Sequence, residues 1–256
     1  MLETSIGGSW TTWSRLHGRL IRYVELTLHQ SESLPSQPGL AIAAIRSAMT
    51  NLDPTTGTFT STHLSFVRLC LETRSYAAAE PILDNYIHSL PAKIPATARE
   101  ALEYSVPCSD VASSGEYIHQ GSGHTDKVTL DNLQEYYLLG AMAYLGMRQF
   151  KKAQQLLEHV LVAPAGNVAN GLMLEAYKKW VLVNCLVDSI DSSLSKTPQS
   201  RVVPRTTNLA ALKQIKSASR AYEALAEAYS LAGNLSKLKA QIKAGTEIWA
   251  EVCIWN

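Results

Sequence analysis

The sequence predicts an all-α, tetratricopeptide-like helical-repeat solenoid built of antiparallel helix pairs. Three observations carry that prediction. Apolar residues recur three and four apart along most of the chain, alternating strand patterns are nearly absent, and one motif of small and aromatic residues occurs three times. The helical periodicity covers residues 13–29, 40–51, 62–73, 76–90, 96–105, 133–147, 150–162, 168–190, 209–232 and 235–255. Short Pro, Gly, Asn and Asp breakers separate these segments, and longer polar loops fall at 31–39, 106–127 and 191–208. None of the loops reads as a domain boundary, so a single helical-repeat domain is expected over residues 1–256.

The repeat is clearest in YYLLGAMAYLGMRQFKKAQQLLEHVLVAP, residues 136–164. Tyr137, Gly140, Ala141 and Tyr144 stand at i, i+3, i+4 and i+7, which places them on one stripe of one helix. The small residues let a second helix approach closely, and the rings pack around that contact. Ala153, Leu156, Leu157, Val160 and Leu161 form a matching stripe after the turn at 146–149, and Pro164 ends the unit. The motif returns as Tyr222-x2-Leu225-Ala226-x2-Tyr229, followed by Leu238-x3-Ile242. It occurs more faintly upstream as His63-x2-Phe66-Val67-x2-Cys70, followed by Ala79-x3-Leu83 and Pro91. Equivalent positions Val67, Ala141 and Ala226 are each a little over two repeat lengths of about 34 residues apart, so degenerate helix pairs are expected between them. Each pair leaves an apolar face that only a neighbour can cover.

The same residues resemble a known family. The string YYLLGAMAYLGMRQFKKAQQLLEHVLVAPAGNVANGLMLEAYKKWVLVNCLV, residues 136–187, is similar to the middle of subunit three of the COP-nine signalosome, above all in LMLEAYKKWVLV. GLAIAAIRSAM and FTSTHLSFVRLCLETRSYAAAEPILD upstream, and AYEALAEAYSLAGNLSKLKAQI downstream, extend the resemblance over about residues 38–250. It implies a non-catalytic scaffold or assembly subunit of the complex that deneddylates cullin-RING ubiquitin ligases, present in nucleus and cytoplasm. The implied partners are neighbouring PCI subunits, with subunits one and eight named as candidates, and the cullin-RING ligase itself. Members of this family follow their helical repeats with a winged-helix PCI module. No pattern for that module follows residue 255, so this chain is expected to be the helical arm alone. Runner-up readings are a PCI subunit of the proteasome lid, a tetratricopeptide adaptor gripping peptides, and a small helical hydrolase.

Composition narrows the partners. Hydrophobic residues are 46% and charged residues 18% of the chain, with a net charge of +1, so neither polyanion steering nor charge-driven disorder is indicated. The start Met1-Leu2-Glu3 has no signal-peptide pattern, and the apolar run 180–187 is short and broken by Asn184, so a soluble intracellular chain with no membrane role is expected. Cys70, Cys108, Cys185 and Cys253 stand far apart without a CxxC pair, as free thiols do.

Chemical constellations are few, and no catalytic, cofactor-binding or metal-binding residue is assigned. His119 and His124 lie near Glu116 and Asp126, but the Gly-Ser-Gly stretch between them does not hold ligands rigidly, and a mobile surface loop is expected. Gly121-x-Gly123 lacks a third glycine and a preceding strand. Cys70 and Cys185 fall on apolar helix faces and read as core, while His63 and His159 lack local acid partners. Lys178 and Lys179 read as side chains snorkelling from a buried helix. Lys196, Arg201, Arg205, Lys213, Lys216 and Arg220 fall in a stretch without Asp or Glu, which reads as a solvated face or, more sharply, as a docking surface for an acidic segment. No aromatic platform accompanies these basic residues, so nucleic acid is not expected. Trp249, Ile254 and Trp255 form an apolar end suited to an interface.

Overall fold

A computed structural model describes residues 39–91, 118–119, 124–163, 169–191, 209–230 and 235–252. The expected helices at 13–29 and 96–105 lie outside these residues. The described residues form helices and a single isolated bridge between Thr58 and Ser89, with no strands, and the chain divides into two compact units, 1–147 and 148–256.

In the first unit the helices are α1 (Gly39–Leu52), α2 (Ser61–Glu72), α3 (Tyr76–Leu83) and α4 (Leu130–Gly146). Helix α2 packs on α1, α3 and α4, and α3 also packs on α4 and α1. The buried face of α2 runs through Leu64, Phe66, Val67 and Cys70, and that of α4 through Tyr136, Leu138, Gly140, Ala141, Ala143 and Tyr144. Helix α3 is shorter than the periodicity over 76–90 predicts. Pro81 lies inside it and withholds one helical hydrogen bond, and the chain leaves the helix after Leu83. Asn85 then donates to Thr56 Oγ1 at 2.7 Å, and residues 88–89 pair with 57–59 through backbone bonds of 2.9–3.3 Å. Ile87 is buried in this extended segment, so its apolar spacing is satisfied without a helix.

Helix α2 starts from a buried polar loop. Asp53 Oδ1 accepts from Thr55 N–H at 3.0 Å and Oδ2 from Thr58 N–H at 3.0 Å. His63, at the third helical position, accepts from Thr60 N–H on Nδ1 at 3.1 Å, which completes a capping box. Its proton therefore sits on Nε2, 3.2 Å from the Thr56 carbonyl it donates to. Burial pushes the imidazole down to about 4, against the opposing pull of that carbonyl and of Asp53.

One turn is used twice. Thr73 and Met147 cap α2 and α4 with φ and ψ of −83° and −1°, and −86° and 0°, respectively. Arg74 and Arg148 follow with φ of 56° and 59°, and Tyr76 and Phe150 open the next helices. The offset between these turns is the one that separates Val67 from Ala141. The repeat read from side chains is thus also a repeat of backbone.

The second unit contains α5 (Phe150–Val162), α6 (Gly171–Asp191), α7 (Leu209–Ala218), α8 (Arg220–Ser230), α9 (Leu235–Ala244) and α10 (Thr246–Val252). Helix α5 packs on α6, α6 on α7 and α8, and α8 on α7 and α9. Two long predicted helices are each divided. At Ser219 an i→i+3 bond to Lys216 at 3.1 Å tightens the chain between α7 and α8. At Gly245 the indole of Trp249 occupies the space where a Cβ would stand, 2.5 Å from its ideal position, and its N–H donates to the Ile242 carbonyl at 3.1 Å. Only glycine admits a ring there.

Two predictions follow from this packing. Ala141 is fully buried, so Ala141→Trp is expected to lower stability by about 1–3 kcal/mol through overpacking, which a denaturant melt measures. Because the folded pKa of His63 lies below the unfolded value of 6.5, its neutral form contributes fully above pH 6.5 and the contribution is lost as pH falls toward 4. Between pH 7 and 5 the parent chain should lose about 2 kcal/mol more stability than His63→Gln does.

Candidate protein-interaction surfaces

The residues of the small-and-aromatic motif fall mostly inside the two units. Gly140, Ala141 and Tyr144 are buried on α4, whereas Tyr137 is only half-buried, and the wholly buried ring is its neighbour Tyr136. Tyr136 packs against Phe59 at 5.4 Å and His63 at 5.9 Å between ring centroids. Tyr144 donates its hydroxyl to Asp84 Oδ1 at 2.6 Å, tying α4 to the end of α3. The ring of Tyr76 lies over Gly146, 2.7 Å from where a Cβ would be. This close contact lies at Gly146, at the end of α4, and not at Gly140 or Ala141.

In the second unit Ala153, Leu156, Leu157, Val160 and Leu161 are all buried, and α6 is the helix packed on α5. Gln154 donates to Asn184 Oδ1 at 2.7 Å, so the residue that breaks the apolar run of α6 serves as a polar link to α5. Trp180 donates its indole N–H to Glu158 at 3.1 Å, and Tyr177 its hydroxyl to Glu223 at 2.7 Å. Of the third motif, Tyr222 and Ala226 are buried, Leu225 is half-buried and Tyr229 is exposed. Lys178 and Lys179 both bond Glu175, at 2.7 and 3.1 Å, and Lys178 Nζ stands 5.7 Å from the centre of the Tyr222 ring. Burial works to raise the Glu175 carboxyl, but the two lysines outweigh it and hold it below the ordinary carboxylate range.

Of the groups weighed for chemistry, Cys70 and Cys185 are taken up by packing, whereas His159 is exposed. Cys70 is buried and its thiol is pushed up to about 11, chiefly by desolvation, while Cys185 is buried and donates to the Val181 carbonyl at 3.4 Å. Among the described residues no three His, Cys, Asp or Glu side chains stand close enough to hold a metal ion, and no helix is long and apolar enough to cross a membrane. The loop expected to be mobile is anchored where it is described. Ile118 is fully buried with Ala48 and Leu52, and Thr125 Oγ1 accepts from Ser61 N–H at 3.1 Å. Residues 120–123, Cys108 and Cys253 lie outside the described residues.

Two surfaces remain on the second unit. On α7, Lys213 is exposed and Lys216 half-buried, and Arg220 is exposed at the start of α8; Lys196, Arg201 and Arg205 lie outside the described residues. On α9 no residue is buried, with Leu235 61% and Ile242 47% exposed. Trp249 is half-buried and meets Tyr222 edge-on at 4.9 Å, while Trp255 lies outside the described residues. Sequence spacing did not single out Tyr136, Phe59, Asp84, Glu158 or Glu223. The signal available for the carboxylates was their place beside aromatic helices, since a buried Tyr or Trp needs a polar partner.

Comparison with known proteins places these observations in a family. A family model described as COP9 signalosome complex subunit 3, N-terminal helical repeats, matches residues 19–203. The COP9 signalosome complex subunit 3 of Emericella nidulans is 32% identical over 214 residues, covering 84% of this chain and 40% of that protein. The protein of the same name from Neurospora crassa is 28% identical over 191 residues, covering 74% of this chain and 35% of that protein. The chain therefore spans well under half the length of these relatives. With an all-α fold, a repeated inter-helix turn and a family match over most of its length, the chain belongs to the family of COP9 signalosome subunit 3 N-terminal helical repeats.

Proposed function

We propose that the chain is the helical-repeat arm of a non-catalytic scaffold and assembly subunit of the COP9 signalosome, the complex that removes a ubiquitin-like modifier from cullin-RING ligases. In this reading the arm holds neighbouring PCI subunits, subunits one and eight among them, and contributes to seating the ligase, in both nucleus and cytoplasm. The observation that carries the reading is the family match over residues 19–203.

The chemistry of the interior supports it. A nucleophilic cysteine needs an accessible thiolate, whereas the Cys70 thiol is desolvated and raised to about 11. A general base needs a free imidazole nitrogen facing substrate, whereas both nitrogens of His63 are bonded within a buried capping loop. Rings and acids of the second unit likewise bond one another across α5, α6 and α8. These groups hold helices in register, which is the work a scaffold needs.

Mixing the purified chain with individually purified signalosome subunits tests this reading. Co-elution with at least one PCI subunit is expected, together with no release of the modifier from a modified cullin by the chain alone. Release by the chain alone, or failure to associate with any subunit, contradicts it.

A further inference from the structure

The exposed edge of α9 is neither core nor an ordinary solvated face. At 100° per residue, Leu235, Lys239, Ile242 and Lys243 fall within about 100° of one another around the axis, so two apolar and two basic side chains share one edge. All four are exposed, and α9 contains no Asp or Glu. The half-buried side of the helix, through Leu238 and Gln241, adjoins this edge, and α9 packs on α8. A single exposed leucine needs no explanation, but a leucine and an isoleucine two turns apart with lysines alongside form a patterned surface.

We propose that this edge docks an acidic amphipathic helix of a partner protein, whose apolar residues cover Leu235 and Ile242 and whose carboxylates pair with Lys239 and Lys243. The charge pattern selects this occupant. A second copy of the chain would bring lysines against lysines in a two-fold contact. A membrane surface favours a wide apolar face with aromatic anchors, whereas the apolar part of this edge is a single file of two aliphatic residues. Helix-in-groove recognition uses anchors at this spacing, and flanking opposite charges set orientation and partner choice. The surface deepens the scaffold reading and rests on it for the existence of a protein partner.

The test uses a fluorescent synthetic helix with a leucine stripe flanked by glutamates, a second peptide with lysines in place of the glutamates, and vesicles of phosphatidylserine and phosphatidylcholine. Anisotropy with the full chain should show binding of the glutamate peptide and little of the lysine peptide. Affinity should fall about tenfold in Lys239→Glu/Lys243→Glu, whose preference should switch to the lysine peptide, and severalfold in Leu235→Ser/Ile242→Ser. These positions are exposed, so unchanged melting temperatures are expected to accompany the losses. Equal binding of both peptides, no peptide binding, vesicle binding in their place, or a dimer by light scattering that Leu235→Ser dissolves would each overturn the proposal. If it fails while the chain still enters the signalosome, the scaffold reading stands without this surface.

Discussion

The constraint on which the structure depends is the closure of apolar helix faces that are too large to leave in water. In the first unit α4 shows it most clearly. Its buried face alternates rings with Gly140, Ala141 and Ala143, so the backbone can come close to its neighbours while Tyr136 and Tyr144 fill the space on either side. Full burial of one large apolar side chain is worth about 1.5–3 kcal/mol, whereas the partly exposed Arg68–Glu135 pair between α2 and α4 is worth about 0.2–1 kcal/mol. Packing sets the arrangement and the ion pair trims it.

Polar atoms that enter with the rings set the register. Tyr144 with Asp84, Tyr177 with Glu223 and Trp180 with Glu158 each join two segments through a bond of 2.6–3.1 Å. An aromatic ring supplies area without direction, and the hydroxyl or indole N–H at its tip supplies direction. The buried capping loop from Asp53 to His63 does the same for the start of α2. Such an interior holds the helices of each unit in register and leaves outer faces such as the edge of α9, where we propose recognition, exposed.

The sequence made the helical class and much of the packing legible, because period and residue size are local signals. Helix α5 has the bounds its periodicity predicts, and its five-residue stripe is the buried one. The helix expected at 133–147 starts earlier, at Leu130, because Thr129 and Asn132 form a capping box without the usual acidic or Gln partner. The end of α3 was hidden because Leu83, Ile87 and Leu90 keep helical spacing while pairing with 57–59 takes the backbone away. Tyr137 and Tyr136 were interchangeable by spacing alone, and only contacts with Phe59 and His63, distant in sequence, decide which ring is central. Breaks at Ser219 and Gly245 were equally hidden, since each depends on how a backbone or a ring folds back. The candidate surface residues were least legible, because exposure is a property of the fold and not of the period.

Family membership and the packed interior meet in one claim: α4 is held by its small-residue face as an integral member of the first unit. Native-state hydrogen exchange resolved along the chain measures this directly. Amides from Leu138 to Tyr144 are expected to exchange only through global unfolding, with the same free energy as the slowest amides of α2. Exchange of α4 through a separate, lower-energy opening while α2 stays protected would contradict it.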